Sequence, residues 1–238
     1  MNRDHNFNKP FNLTHAEVNK KVAIHEAGHA AAIYLGNKQK GLPSVFFRIF
    51  ITPVTDYYQS AFDSSSPDTH YIAHVDRGRL IPRLPASMEE ATMGFSLMQK
   101  SAYQRAIEVD IINILAGPLA EAKYIALRDG EPINPRLVNL NALQYYGGTS
   151  DLENVYEYLE CLIADPVLRE QKISELFLAA FCFITEQSNW RAITALADYI
   201  TGHDQTVIEF DEIVDVLETA HHVTTTWFDM RFPVACWQ

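Results

Sequence analysis

Beyond a polar stretch at residues 1–13, the chain alternates between apolar stripes at helical spacing and short polar breaks. Val18, Val22, His25, His29 and Ile33 recur at three- and four-residue steps, which puts them on one face of a helix. Thr14 followed by Glu17 makes a capping box, Leu13 can staple onto Val18, and Gly36 supplies a stop, so a first helix is predicted between Thr14 and Gly36. Ala27, Gly28, Ala30, Ala31 and Ala32 give this helix almost no side-chain bulk on part of its surface, so other elements can approach closely.

The pattern then changes period. Val45 to Ile51 is β-branched and aromatic and predicts a strand closed by Pro53, while Tyr71 to Val75 predicts a weaker second strand. Asp56 to His70, rich in Asp, Ser and Tyr and containing Pro67, is a surface loop between them. Ser87 and Glu90 form a second capping box, opening a helical region that runs, with a break, from Met88 to Leu127 before Asp129-Gly130. Ile107, Ile111, Ile114, Leu115, Leu119 and Ala122 are its core stripe, and Pro118 is expected to kink it near Ile114.

After Pro132, Pro135 and Gly147-Gly148, Ser150 and Glu153 form a third capping box for a helix ending near Ala164. Asp151 falls in its first turn, where the helix dipole favours a carboxylate by about 0.3–1 kcal/mol. The remainder has helical apolar faces at Ile173 to Ile184 and at Trp190 to Ile200, the latter ending at Gly202, and a last helix capped by Asp211 that runs through Ala220. The fold class is therefore mainly α (α+β), with a small β-sheet. Residues 1–13 form an N-terminal arm and 14–238 one domain, of which 165–238 is a helical C-terminal part.

Composition narrows the function. The chain is 47% hydrophobic and 21% charged with a net charge of −11, which disfavours nucleic acid and anionic membranes as partners. No secretory-type apolar core precedes residue 14, and apolar runs such as Leu176 to Ile184 fall short of the ~18 residues of a spanning helix, so a cytoplasmic location is expected. Cys161, Cys182 and Cys236 are too scattered for a zinc cage or a disulfide framework. There is no Gly-x-x-x-x-Gly-Lys-Ser/Thr phosphate loop, so no ATPase is expected within this chain. The aromatic tail Trp227, Phe228, Phe232 and Trp237 calls for burial against the body or a second subunit, which leaves a homo-oligomer open.

Within the first helix, His25-Glu26-Ala27-Gly28-His29 is a His-Glu-x-x-His motif. The four-residue step brings both imidazoles to one face, one turn apart, with the bite a Zn2+ ion needs. Glu26, about 100° round the helix from His25, would sit beside the ion and take a proton from activated water. A pair of hydrogen-bonded core histidines would give the same five residues, and a zinc site needs a third protein ligand, which the motif alone leaves open.

Three segments together resemble the peptidase domain of the FtsH-type ATP-dependent zinc peptidases. They are His25-Glu26-Ala27-Gly28-His29-Ala30, Ile114-Leu115-Ala116-Gly117-Pro118-Leu119-Ala120-Glu121, and Gly147-Gly148-Thr149-Ser150-Asp151-Leu152. Pro118 stands where that family has arginine, and residues 37–86 and 165–238 do not follow its pattern. The resemblance implies a zincin-like helical metallopeptidase domain, with His25, His29 and Asp151 as zinc ligands and Glu26 as general base. Glu121 competes for the third ligand position, and is preferred as the carboxylate that orients a ligand histidine through its free ring N–H.

The implied activity is zinc-dependent, ATP-independent endopeptidase action on peptides or unfolded segments, with a separate ATPase as a possible partner. One of the two strands is expected to hold substrate in extended form beside the metal, with the Asp56 to His70 loop flanking the cleft. The competing expectation is a catalytically silent, metal-stapled adaptor, and the retention of Glu26 argues against it.

Overall fold

The computed structural model describes residues 15–54, 70–136, 138–203 and 205–222. The N-terminal arm, the Thr14 cap, the Asp56 loop up to residue 69 and the aromatic tail lie outside these residues. The protein is mainly helical, with one three-stranded antiparallel sheet.

Helix α1 (His15–Ala31) passes through a π-helical turn (Ala32–Gly36) into the short α2 (Asn37–Gln39). Gly36 is therefore not the stop the sequence suggested. It is buried within the π turn, and the chain leaves the helix at Gly41, whose φ of +64° suits glycine. Leu42 N–H closes back on Asn37 O at 2.9 Å and Gly41 N–H on Lys38 O at 3.1 Å.

Strands β1 (Phe47–Val54) and β2 (His70–Arg77) pair antiparallel from Phe47–Arg77 to Val54–His70. A two-residue β3 (Val207–Ile208) joins the other side of β1 opposite Ile49 and Phe50, giving the order β2-β1-β3. Pro53 lies inside β1 and does not close it. Ile51 N–H points to the β3 side, donating to Thr206 O at 2.8 Å, and the alternation of the strand turns Pro53 the same way. There β3 has already ended, so the missing N–H breaks no ladder bond.

Helix α3 (Met88–Ala91) has the Ser87 cap, with Glu90 N–H donating to Ser87 Oγ at 3.2 Å. The expected break follows, and α4 (Leu97–Arg128) starts on a second box that the sequence reading passed over: Ser96 N–H donates to Gln99 Oε1 and Gln99 N–H to Ser96 Oγ. From Ile107 to Lys123 nearly every residue of α4 is buried, because α1, α5 and α6 all pack on it. Burying each large side chain there, such as Ile111, Leu115 or Leu119, contributes about 1.5–3 kcal/mol.

A 3-10 turn (Leu140–Tyr145) leads to α5 (Thr149–Leu162), followed by α6 (Pro166–Thr185), α7 (Gln187–Thr201) and α8 (Phe210–His222). The Ser150–Glu153 box does not form: α5 has its N-cap two residues earlier, at Gly148, with no side-chain cap. Asp211 likewise is not a cap but lies in the first turn of α8, where Glu212 Oε2 accepts from Glu209 N–H at 3.1 Å. Helix α6 has a cap of its own, Asp165, with Pro166 at the first helical position. Among the described residues no helix is long and apolar enough to cross a membrane.

Candidate metal centre

Two helices meet where bulk is lowest. A Cβ on Gly28 of α1 would lie 2.7 Å from both Ala116 O and Ala120 Cβ of α4, and one on Gly117 would lie 2.3 Å from His29 Nε2. The small-residue surface thus lets α4 form the floor beneath the histidines. The rings of His25 and His29 stand edge to face, with centroids 4.9 Å apart.

The third member arrives from far along the chain. Gly147, at φ +69°, and Gly148 bring the start of α5 down onto α1 and α4. A Cβ on Gly147 would meet Glu121 Oε2 at 3.0 Å and His25 Nδ1 at 3.2 Å, and one on Gly148 would meet Pro118 Cβ and Leu143 O at 2.8 Å. Asp151, in the first turn, then places Oδ2 at 3.0 Å from His25 Nε2 and Oδ1 at 3.5 Å from His29 Nε2. One ligand atom from each of His25, His29 and Asp151 falls within 4.8 Å of the others, so this group can hold a metal ion.

The outer ring nitrogens are also engaged. His29 Nδ1 lies 2.9 Å from Asn113 O, a carbonyl that can only accept. That nitrogen carries the proton, and the Nε2 lone pair of a neutral ring faces the Asp151 carboxylate. Two acceptors face each other there, and only a cation between them, a proton or a metal ion, reconciles them. Pro118 lies within an unbroken α4, where it gives Ile114 O no N–H, one residue beyond the Asn113 carbonyl that meets His29.

Glu121 meets the opposite nitrogen of His25, with Oε2 at 3.3 Å from Nδ1, while its Oε1 lies 3.1 Å from Lys21 Nζ. It therefore stands behind His25, on the side away from Asp151, where it can fix the ring's orientation.

Electrostatics follow this arrangement. Burial disfavours a charged His25, but the Asp151 and Glu121 carboxylates outweigh it and hold its pKa up at about 10. Burial likewise opposes a charged His29, and Asp151 again more than compensates, raising it. Burial alone would raise Asp151, yet His29 and His25 drive it well below the usual carboxylate range. In the absence of metal the three groups form a cation-seeking cluster that takes up protons.

Glu26 faces a cleft of about 270 Å³, which is also lined by the triad, Val75 and Gly78. Its Oε2 accepts a hydrogen bond from Val75 N–H at 2.8 Å. Val75 pairs with Ile49 at a position where the β1 backbone turns to β3, so this N–H belongs to the outer edge of β2. Of the two predicted strands, β2 is thus the one that borders the cleft, and the loop expected to flank it lies outside the described residues up to residue 69.

Several residues that build the site escaped the sequence reading. Asp110 and Asn113 are buried polar positions inside the apolar Ile107–Ile114 run, and such interruptions of a core stripe were the available signal. Asp110 accepts from Leu80 N–H and Ile81 N–H, both at 2.8 Å, and so anchors the chain just beyond β2. Lys21, one helical turn before His25, carried a similar signal.

The chain matches no protein-family model, no curated protein and no solved structure. What the centre can do therefore follows from its donors. Two imidazole nitrogens and one carboxylate oxygen form a donor set that could hold a metal ion.

Proposed function

We propose that this protein is a zinc-dependent endopeptidase with a zincin-like domain of the FtsH type, hydrolysing peptides or unfolded protein segments. The observation that carries this reading is the joining of a three-ligand site to an unligated carboxylate: His25, His29 and Asp151 converge at a cleft that Glu26 also lines. A purely structural zinc site has four protein ligands and no use for the fourth group's acid–base chemistry.

Held by His25, His29 and Asp151, a Zn2+ ion would supply Lewis acidity towards the scissile carbonyl and a water pKa lowered towards about 7. Glu26 removes the proton from the attacking water and delivers it to the leaving amine. Val75 N–H holds Glu26 Oε2, which fixes the carboxylate and leaves Oε1 for the proton. Asn113 O and Glu121 keep both imidazoles turned with Nε2 towards Asp151. β2 has no strand partner on its outer side among the described residues, so an extended peptide can align along its edge next to Glu26.

A cleft fed by an edge strand accepts only extended chain. Folded substrates would need to be unfolded first. The test is cleavage of an unfolded casein-type protein by the zinc-loaded chain: new termini appear, chelation abolishes them, and one equivalent of zinc restores them. A preparation holding one zinc per chain that cuts nothing unfolded would overturn the proposal and favour the metal-stapled adaptor.

A further inference from the structure

β2 does not simply end at the cleft. It turns through two consecutive left-handed residues, Arg77 at φ +70° and Gly78 at φ +84°, and then reaches Arg79. A non-glycine residue at such a φ is uncommon and is tolerated only where its surroundings hold it. Here they do. A Cβ on Gly78 would lie 2.7 Å from Ile33 Cδ1, so the corner is pressed onto the π turn, and Asp110 accepts from the backbone N–H groups of Leu80 and Ile81 just beyond it.

Arg77 and Arg79 both line the cleft, in a protein whose net charge is −11. Arg79 is half-buried and fixed. Its guanidinium lies over the buried Tyr158 ring at 5.4 Å from the centroid, and Nη1 donates to Tyr158 Oη at 3.4 Å. Tyr158 Oη in turn donates to Ile81 O at 3.2 Å.

Every nearby carboxylate has another task. Asp110 uses both oxygens on backbone N–H groups, Asp76 sits 3.6 Å from Arg77 Nε, Glu26 holds Val75, and Asp151 holds the histidines. No carboxylate lies within salt-bridge distance of Arg79 among the described residues. Asp110 is close enough to feel the Arg79 charge but makes no direct ion pair with it, so a planar donor fork pre-oriented on an aromatic platform keeps N–H groups for bidentate carboxylate recognition.

We infer that the Arg77–Gly78–Arg79 corner is a carboxylate-binding subsite of the cleft, with Arg79 its main donor, so that the preferred substrates are peptides carrying a carboxylate next to the segment aligned on β2. This deepens the peptidase reading and rests on it for the word substrate, but the subsite itself is a binding property. The carboxylate has two possible sources, an acidic side chain or the C-terminus of the peptide.

The test uses the zinc-loaded full chain carrying Glu26→Gln, and four fluorescein-labelled peptides of one sequence, with Glu or Gln at one position and the C-terminus free or amidated. Fluorescence polarisation is expected to show the carboxylate-bearing peptides binding about tenfold more tightly than their neutral counterparts. Arg79→Ala in the same background should erase that preference, and Arg79→Lys should keep only part of it, with zinc content and thermal unfolding verifying that both variants are folded. A preference following Glu assigns the side chain as source, and one lost on amidation assigns the C-terminus. Equal binding of all four peptides, or a preference that survives Arg79→Ala, overturns the subsite. If wild type cuts none of the four while the Arg79-dependent preference is present, the peptidase reading fails and the subsite stands.

Discussion

His25 Nε2 and Asp151 Oδ2 lie 3.0 Å apart although 126 positions separate the two residues in the chain. This contact joins a local helix motif to a third donor, making a group that could hold a metal ion, and it depends on three elements fitting closely: α1, the glycine-containing stretch of α4, and the Gly147-Gly148 descent into α5.

Removing Asp151 should therefore cost more than removing the carboxylate behind the ring. Groups that orient ligand histidines are typically worth about 10–100-fold in metal affinity, so Glu121→Gln and Lys21→Met should each weaken zinc within that range. Asp151→Ala should weaken it beyond about 100-fold. Competition against a chromogenic chelator measures all three, and an Asp151→Ala affinity equal to wild type would remove Asp151 from the ligand set.

Gly117 carries a prediction of a different kind. A methyl group there would sit 2.3 Å from His29 Nε2, so the ring must move or the helices must part. Gly117→Ala should destabilise the fold by about 1–3 kcal/mol in denaturant unfolding and lose zinc as well. Retention of full zinc affinity would mean that α4 does not press on the histidine.

The metal-free protein should show a pH dependence opposite to that of ordinary acid unfolding. His25 is raised from 6.5 to about 10, so its stabilising charge is fully present below pH 6.5 and is lost as pH rises through about 10. His29, also raised, acts in the same direction. Asp151 is lowered, so its contribution is complete above its ordinary value of 3.8 and fades as pH falls towards its lowered value. The thermal midpoint of metal-free protein should thus decline from pH 6.5 upwards. Zinc must displace these protons, so its apparent affinity should rise over the same interval. Calorimetry of zinc binding in buffers of different ionisation enthalpy should register proton release near neutral pH, and the absence of release would contradict the cluster as described.

The legible part of the fold was the local part. The i, i+4 histidines, the Ile107–Ala122 stripe and the two strand segments depend on near neighbours, and the structure has helices and strands there. Local signals failed where tertiary packing replaced them. Gly36 was absorbed into a π turn, Pro53 was tolerated because β3 is only two residues long, and the Ser150 box gave way to a start on Gly148 that brings Asp151 to the histidines. β3 itself is too short to leave a periodic trace. The Val75–Glu26 hydrogen bond could not be anticipated, since a backbone N–H on an outer strand edge has no sequence signature. Glu121 was legible only as one of two competing carboxylates, and distance places it at Nδ1 of His25.

The central claim, that Glu26 acts on water at a metal held by His25, His29 and Asp151, is tested most directly by comparing zinc-loaded wild type with zinc-loaded Glu26→Gln on one unfolded substrate. Both should hold one zinc per chain, and the variant should cleave slower by roughly 10²–10⁴-fold, the usual worth of a positioned general base. A variant that binds zinc and cleaves as fast as wild type would contradict the account.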